Sequence, residues 1–417
     1  MIRLMLAILF LALIFRIAIA APYYSGDVNN HIAWGKGMVE GGTADFYSRQ
    51  FTGQTPPNYP PVPLYLFAAS YWKYQKIQQL TTTTNILLPI FPSNLVPFLE
   101  TINAQAVFLK FPAIFFDLLS GLFIFKIAGL LTHSQKLPVG LSSAYLFNPA
   151  VFYNSANWGQ IESIPIALML GSVYYLMKNK PYYFTLLAVL SLLSKQTIVV
   201  VMPALFIAYV KKFGTKVLLF SLVVGLVTSF ILYWPLLAES LSFIPVYIKH
   251  LSGVSNYVSD NAFNLWGLIF GPNSHLPDQN YFGILTLQIW GYVIFSIFLL
   301  PVLYVLWKNF SWRNLLFALT ILSFSSFLFL TRIHERHLAS VLPLLLLLTI
   351  FNSRLMVVYA AVSLAHFINL YHGFWQPNLE ALNYFLKILS GAGITAAVLI
   401  VAFAIIYLEF FRTKGKV

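Results

Sequence analysis

The 417-residue sequence has no cysteine. Disulfides and thiolate metal sites are therefore excluded. Charge is scarce as well: Asp, Glu, Lys and Arg make up only 9% of the chain, against 59% hydrophobic residues. A soluble protein is excluded by that balance. The hydrophobic residues do not alternate with period two, so a membrane β-barrel is excluded too. They come instead in continuous runs of about 20, the length of a helix that crosses a hydrocarbon core. No repeat or low-complexity tract stands out beyond the threonines at 81–84. Acids are the scarcest class, 12 against 25 Lys and Arg, for a formal charge of +13.

That charge is unevenly spread, which argues against nucleic acid as its cause. Short connections between apolar runs hold Lys136, Lys178, Lys180, Lys211, Lys212, Lys216, Lys308, Arg313 and Arg354. Arg3 begins the chain, and Arg412, Lys414 and Lys416 close it. Twelve crossings with both termini inside put all of these on one side, the cytoplasmic one by the positive-inside rule. Among the acids only Glu409 joins them, and Asp117 lies within a span. Asp27, Glu40, Asp45, Glu100, Glu162, Glu239, Asp260, Asp278, Glu335 and Glu380 fall on the far side. Polar chemistry is therefore expected outside.

The expected architecture is one all-α polytopic membrane domain over 1–417. Its first crossing, 4–21, carries Arg16 and is read as a retained span; a signal peptide is the alternative. A long external loop, 22–103, follows, and such length points to function. It can form interfacial helices over 28–40, with Trp34 at headgroup level, and over 62–80, around a rigid Asn58-Tyr59-Pro60-Pro61 corner. Crossing 104–131 contains Lys110 and Asp117, two turns apart and read as a structural ion pair. Crossing 137–156 runs into Asn157-Trp158-Gly159-Gln160-Ile161-Glu162, and the chain then returns to Lys178. The stretch 182–210 is too short for two spans, although both its ends should be cytoplasmic. Two half-length helices meeting at Ser194-Lys195-Gln196 solve this; one tilted helix with a snorkelling Lys195 is the alternative. A span at 217–237, a second external loop at 239–280, and spans at 281–307, 315–330, 338–351, 355–371 and 384–410 complete the chain.

Every polar cluster away from the basic loops then shares one face: Asp27 and its neighbours, 157–162, Lys195-Gln196, 260–266 and 332–337. A carboxylate can serve as general base. Arginine binds phosphate oxygens bidentately, and lysine adds a point charge. The inventory suits attack by a hydroxyl on a sugar whose leaving group is a phosphate. A lipid-linked sugar flippase or transporter and an oligosaccharide polymerase or ligase are the competing classes.

The same residues resemble a known group. Gly26-Asp27 with Trp34, then Tyr59-Pro60-Pro61, is similar to the first luminal loop of the dolichyl-phosphate-glucose-dependent glucosyltransferases of N-glycan assembly. Lys195-Gln196 with Pro203, Asn264-x-Trp266 after Asp260, and His334-Glu335-Arg336 resemble their later segments in the same order. Asn157-Trp158-Gly159-Gln160 falls at their polar turn but differs in detail, and Arg336 stands where they have lysine. Prokaryotic GT-C glycosyltransferases, including mannosyltransferase-like ones, share this layout. The resemblance implies a GT-C fold and inverting hexose transfer from a polyprenyl-phosphate donor to a lipid-linked or other glycan acceptor, without nucleic acid. It implies Asp27 as catalytic base, with His334, Arg336, Lys195 and Arg332 on the donor phosphate. His31, Trp34, Tyr59, Trp158, Gln160, Gln196, Asn264, Trp266 and Glu335 would contact substrate. Some members use a divalent metal (Mg or Mn). A lone Asp27 leans towards metal-free chemistry, although Asp117 or Glu162 could complete a site with it. The only Asn-x-Ser/Thr sequon, Asn309-Phe310-Ser311, lies on the expected cytoplasmic side. A prokaryotic plasma membrane therefore fits better than endoplasmic reticulum.

Overall fold

The computed structural model describes residues 2–88, 90–237, 255–388 and 390–412. The start of the second long loop, with Glu239, and the tail lysines Lys414 and Lys416 lie outside the described residues. The chain is an all-α polytopic protein whose only strands, among the described residues, form the two-residue hairpin β1 (Tyr281–Phe282) and β2 (Leu285–Thr286). Among the described residues, eight helices are long and apolar enough to cross a membrane. They are α1 (Ile2–Ala20), α5 (Ile102–Leu131), the stretch Gln196–Phe213 ending in α10 (Met202–Phe213), α11 (Leu218–Leu237), α13 (Leu287–Lys308), α14 (Trp312–Phe329), α16 (Leu355–Phe374) and α18 (Gly391–Arg412). Burial ranks them: 78% of the apolar window of α14 is inside the protein, against 17% for α1 and 6% for α11. α14 is thus the centre of the bundle, and α1 and α11 belong to its rim.

The other helices are shorter or, for α3, less apolar: α2 (Gly26–Gly41), α3 (Pro61–Leu87), α4 (Leu95–Glu100), α6 (Leu137–Leu146), α7 (Pro149–Phe152), α8 (Ser163–Met177), α9 (Pro181–Leu192), α12 (Leu265–Phe270), α15 (Val341–Leu348) and α17 (Glu380–Ile388). Local chemistry explains several boundaries. Ser25 Oγ accepts the Val28 N–H at the start of α2, and Thr101 Oγ1 accepts that of Ala104 at the start of α5. Such caps contribute about 1 kcal/mol each. Prolines open α3, α6, α7 and α9, where a missing N–H costs nothing.

The 182–210 stretch is two helices meeting where expected: α9 stops at Leu192, Lys195 is extended (φ −160°, ψ 133°), and a 3₁₀ turn, Gln196–Val201, leads into α10. Other expected spans are corrected. The 137–156 stretch breaks at Asn148-Pro149, because proline lacks the N–H that would continue α6. It ends in a π-helical turn, Tyr153–Trp158, closed by Gly159 at φ 93°. The 338–351 span is a 3₁₀ turn, Glu335–Ser340, followed by the eight residues of α15. The 384–410 span divides into α17 and α18, with Ser390 at φ 53° between them.

The intramembrane ion pair is also corrected. Asp117 pairs with Arg16 (Nε to Oδ2, 3.2 Å), both buried, and it accepts a short hydrogen bond from Ser155 Oγ. Lys110 takes no carboxylate among the described residues. Its ammonium donates to the carbonyls of Ala20, Tyr23 and Asn157 at 3.1, 2.8 and 2.9 Å. Arg16 and Lys110 on their respective helices thereby tie α1 and α5 to the turn at 153–158.

Candidate active site

Asp27 sits in the first turn of α2, where the helix dipole favours a negative charge. Three contacts position it. Ser25, its cap, donates to the Trp158 carbonyl at 2.8 Å. Lys110 holds the neighbouring Asn157 carbonyl. Gly159 then turns the chain in a left-handed conformation, with Val28 only 2.5 Å from where a Cβ would stand. This delivers Gln160, whose Nε2 donates to Asp27 Oδ2 at 2.6 Å.

Glu162 is the hub of the adjoining cluster. Its carboxylate takes the Lys195 ammonium in a very short contact, lies 3.6 Å from Arg336 Nε, and accepts from Asn154 Nδ2 at 3.5 Å. Arg336 also pairs with Glu335 at 2.8 Å. Lys195 is 5.5 Å from the centre of the Tyr59 ring, against which Trp34 stands edge-on. His31, one turn after Asp27, is buried and stacked on Phe67 at 4.2 Å. Trp158 stacks on Phe374 at 5.6 Å. Asp27, His31, Tyr59, Gln160, Lys195, Glu335 and Arg336 thus form one constellation, drawn from five separate stretches of chain.

Its electrostatics assign charge states. Burial works against ionising Asp27, but the Arg336 guanidinium, the Gln160 hydrogen bond and the Lys195 ammonium outweigh it, holding the carboxyl below the ordinary range. Burial drives His31 down to about 3, even with Asp27 opposing, so it is neutral near pH 7. Burial, reinforced by Arg336, also holds His334 well below its usual value; for His337, burial is reinforced first by His334. Both imidazoles therefore act as neutral hydrogen-bonding groups. Burial raises the Tyr59 hydroxyl and the Glu335 carboxyl. Arg336 is raised in spite of burial, by Glu335, Asp27 and Glu162.

Other sequence-selected residues are placed elsewhere or in different roles. Trp34 is buried within the protein and donates Nε1–H to the Thr55 carbonyl at 2.9 Å. Asn264 caps α12 through the Gly267 N–H and donates to the Phe327 carbonyl, while Trp266 donates to that of Phe329. Both pin the loop to the end of α14, with their polar atoms already engaged. Arg332 forms a two-point bond with buried Asp278 at 2.7 and 3.0 Å. His334 is bridged through its backbone to Asp260 and Asn261, with Nδ1 3.7 Å from Asp260 Oδ2. Gln196 borders Glu162 and His337 in a cavity of about 190 Å³, whose other walls include Val199, Leu330 and Ile333. Sequence reasoning missed the hub role of Glu162 and the Asp260–His334 contact. Its signals were a lone acid following Gln160 and an acid before the Asn264 segment.

Arg332→Ala is expected to weaken the fold, because Asp278 would keep a buried charge without its main partner. With Arg332 a quarter exposed, the loss should be about 2–3 kcal/mol. Unfolding in detergent would register it, and an unchanged transition would contradict the assignment.

The donor set does not fit a divalent metal. Asp27 and Glu162 are interleaved with Lys195 and Arg336, so a cation placed there would meet two fixed positive charges. Among the described residues no three His, Asp or Glu side chains converge as ligands. No protein-family model matches this chain, and a search of curated proteins finds no match.

Proposed function

We propose that the chain is an inverting GT-C-type glycosyltransferase that moves a hexose from a polyprenyl-phosphate donor to an acceptor hydroxyl. The acceptor is a lipid-linked or other glycan, and the work is done at the non-cytoplasmic face of a prokaryotic plasma membrane. The observation carrying this reading is an ionised carboxylate, Asp27, near the buried Lys195 ammonium, the partly buried Arg336 guanidinium and a largely apolar cavity that begins at Glu162. Counting α6, α8, α9 and α15 with the eight long helices gives the twelve crossings of this reading.

In the proposed reaction Asp27 takes the acceptor hydroxyl proton. The acceptor oxygen attacks the anomeric carbon from the face opposite the phosphate. The carbon–oxygen bond to phosphate breaks, its electron pair leaves with the phosphate, and the configuration inverts. Arg336 and Lys195 stabilise that developing charge, with His334 and His337 as neutral donors. Gln160 orients the base. Gln196 and the Tyr59, Trp158 and His31 rings shape the sugar site.

A lipid-linked sugar flippase is the second reading, favoured by the deep Arg16–Asp117 pair. One experiment separates them. Purified protein in proteoliposomes, given polyprenyl-phosphate-mannose or -glucose and an extracted lipid-linked glycan acceptor, should release polyprenyl phosphate and add one hexose mass to the acceptor. Donor that crosses the bilayer intact, with no phosphate released, would instead establish the flippase.

A further inference from the structure

At the end of the bundle opposite Asp27, α16 begins and α18 finishes side by side. A cavity of about 370 Å³ lies between them, lined by Asn352, Arg354, Leu355, Val358, Ile405, Glu409 and Arg412. Towards the middle of the helices it adjoins a wholly apolar trough of about 460 Å³, and Val358 and Ile405 line both. Ala361, Ala397 and Ala402 leave the trough open, since their side chains are too small to fill the space between the helices. On α18 it extends from Ile394 to Ile405, roughly 16 Å at 1.5 Å per residue and comparable to half a hydrocarbon core. Its rims face outward: Val357 is 75% and Val401 58% exposed. One continuous feature therefore joins a charged mouth to a greasy groove on the membrane-facing surface.

The mouth asks for an anion. Arg354 stands at the N-cap of α16, where the helix dipole disfavours a cation unless an anion offsets it. Arg412 is in the last turn of α18. Glu409 is the single acid of the lining, and its carboxylate accepts from Asn352 Nδ2 at 3.0 Å. Arg313 approaches its backbone carbonyl at 3.2 Å. The mouth thus carries more positive than negative charge, at the end of the bundle where Lys178, Lys180, Lys211, Lys212 and Lys308 also lie. A group both anionic and greasy, arriving from the bilayer, matches both halves of the feature.

We infer that this is a binding site for one anionic glycerophospholipid, with its phosphate between Arg354 and Arg412 and one acyl chain along the α16–α18 trough. This site is remote from the Asp27 cluster and does not rest on the glycosyltransferase reading. Its service is structural: the lipid fills the seam between two crossing helices.

Native mass spectrometry of the full-length protein tests it, with phosphatidylglycerol and phosphatidylcholine as probes. The wild type should hold one phosphatidylglycerol at concentrations roughly tenfold or more below phosphatidylcholine, the preference two arginines give at an anionic headgroup. Arg354→Gln with Arg412→Gln should abolish that preference and leave the weaker phosphatidylcholine adduct. Arg354→Lys with Arg412→Lys should retain part of it. Ala397→Trp should weaken both lipids by filling the trough, and Lys178→Gln with Lys180→Gln should change neither. Far-ultraviolet dichroism checks that each variant is folded. Equal retention of both lipids by wild type, an unaltered preference in the glutamine pair, or a two-copy species occupying the seam would each overturn the proposal.

Discussion

Asp27→Asn is expected to lower hexose transfer about 10²–10⁴-fold while leaving a folded protein that still binds the polyprenyl-phosphate donor. Asparagine keeps the shape of the side chain and its place in the first turn of α2, so the cap by Ser25 and the contact with Gln160 have no reason to move. What is lost is the ability to accept a proton. Arg336 keeps Glu335 and Glu162 as partners, so no cation is left stranded by the change. Single-turnover measurement with labelled donor, beside a donor-binding assay, separates the two effects. Undiminished turnover would remove Asp27 from the mechanism. The charge state adds a pH signature. The folded carboxyl lies below its ordinary value, so the base form persists as pH falls past about 4, the usual range for aspartate. The stability it contributes is present above the unfolded value and lost only as pH falls through the folded one. The acid limb of the rate should accordingly lie below that of a solvent-exposed aspartate base.

Asp117→Leu should destabilise the fold by about 3–5 kcal/mol. The substitution leaves Arg16, fully buried, without its counter-charge; the Ala12 carbonyl at 3.4 Å is a poor replacement. Arg16→Met alone should cost a comparable amount, since Asp117 would keep only Ser155. Combining the two removes both charges from the membrane interior, and apolar replacement of a buried pair is often neutral or stabilising. The double variant should therefore recover most of the loss, with a coupling energy well above 0.5 kcal/mol. Denaturant titrations of the four proteins in one detergent complete the cycle. Additive single effects would mean that the pair does not act as a pair.

The apolar runs made the long helices legible, and the charge alternation of their loops located the break before Gln196. Shorter breaks were harder to read. Across 335–351 the run Leu338 to Leu348 is almost uninterrupted, and nothing in its composition marks where a 3₁₀ turn gives way to α15. Asn148-Pro149 was a readable stop that a hydropathy window averages away. In the site, Asp27, Gln160, Lys195 and Arg336 stood out as rare polar residues between apolar segments. Their pairings did not, because Asp27–Gln160 and Lys195–Glu162 join positions 133 and 33 residues apart, and no local spacing encodes such pairs. Asn264 and Trp266 were expected to contact substrate because the Asn264-x-Trp266 segment resembles that of the glucosyltransferases. Their buried hydrogen bonds to helix ends are equally good uses of the same groups, and an Asn just before an apolar helix is also a cap signal.

The Arg16–Asp117 contact has a consequence for biogenesis. Arg16 leaves the ribosome 101 residues before Asp117, about 5–20 s earlier at 5–20 residues per second. During that interval α1 carries an unmatched guanidinium one turn from its end, where the cost is below the roughly 2.5–3.5 kcal/mol of a helix centre. The apolar residues of α1 outweigh that cost, so the first helix is expected to insert alone, with Asp117 supplying the missing counter-charge once α5 packs against it.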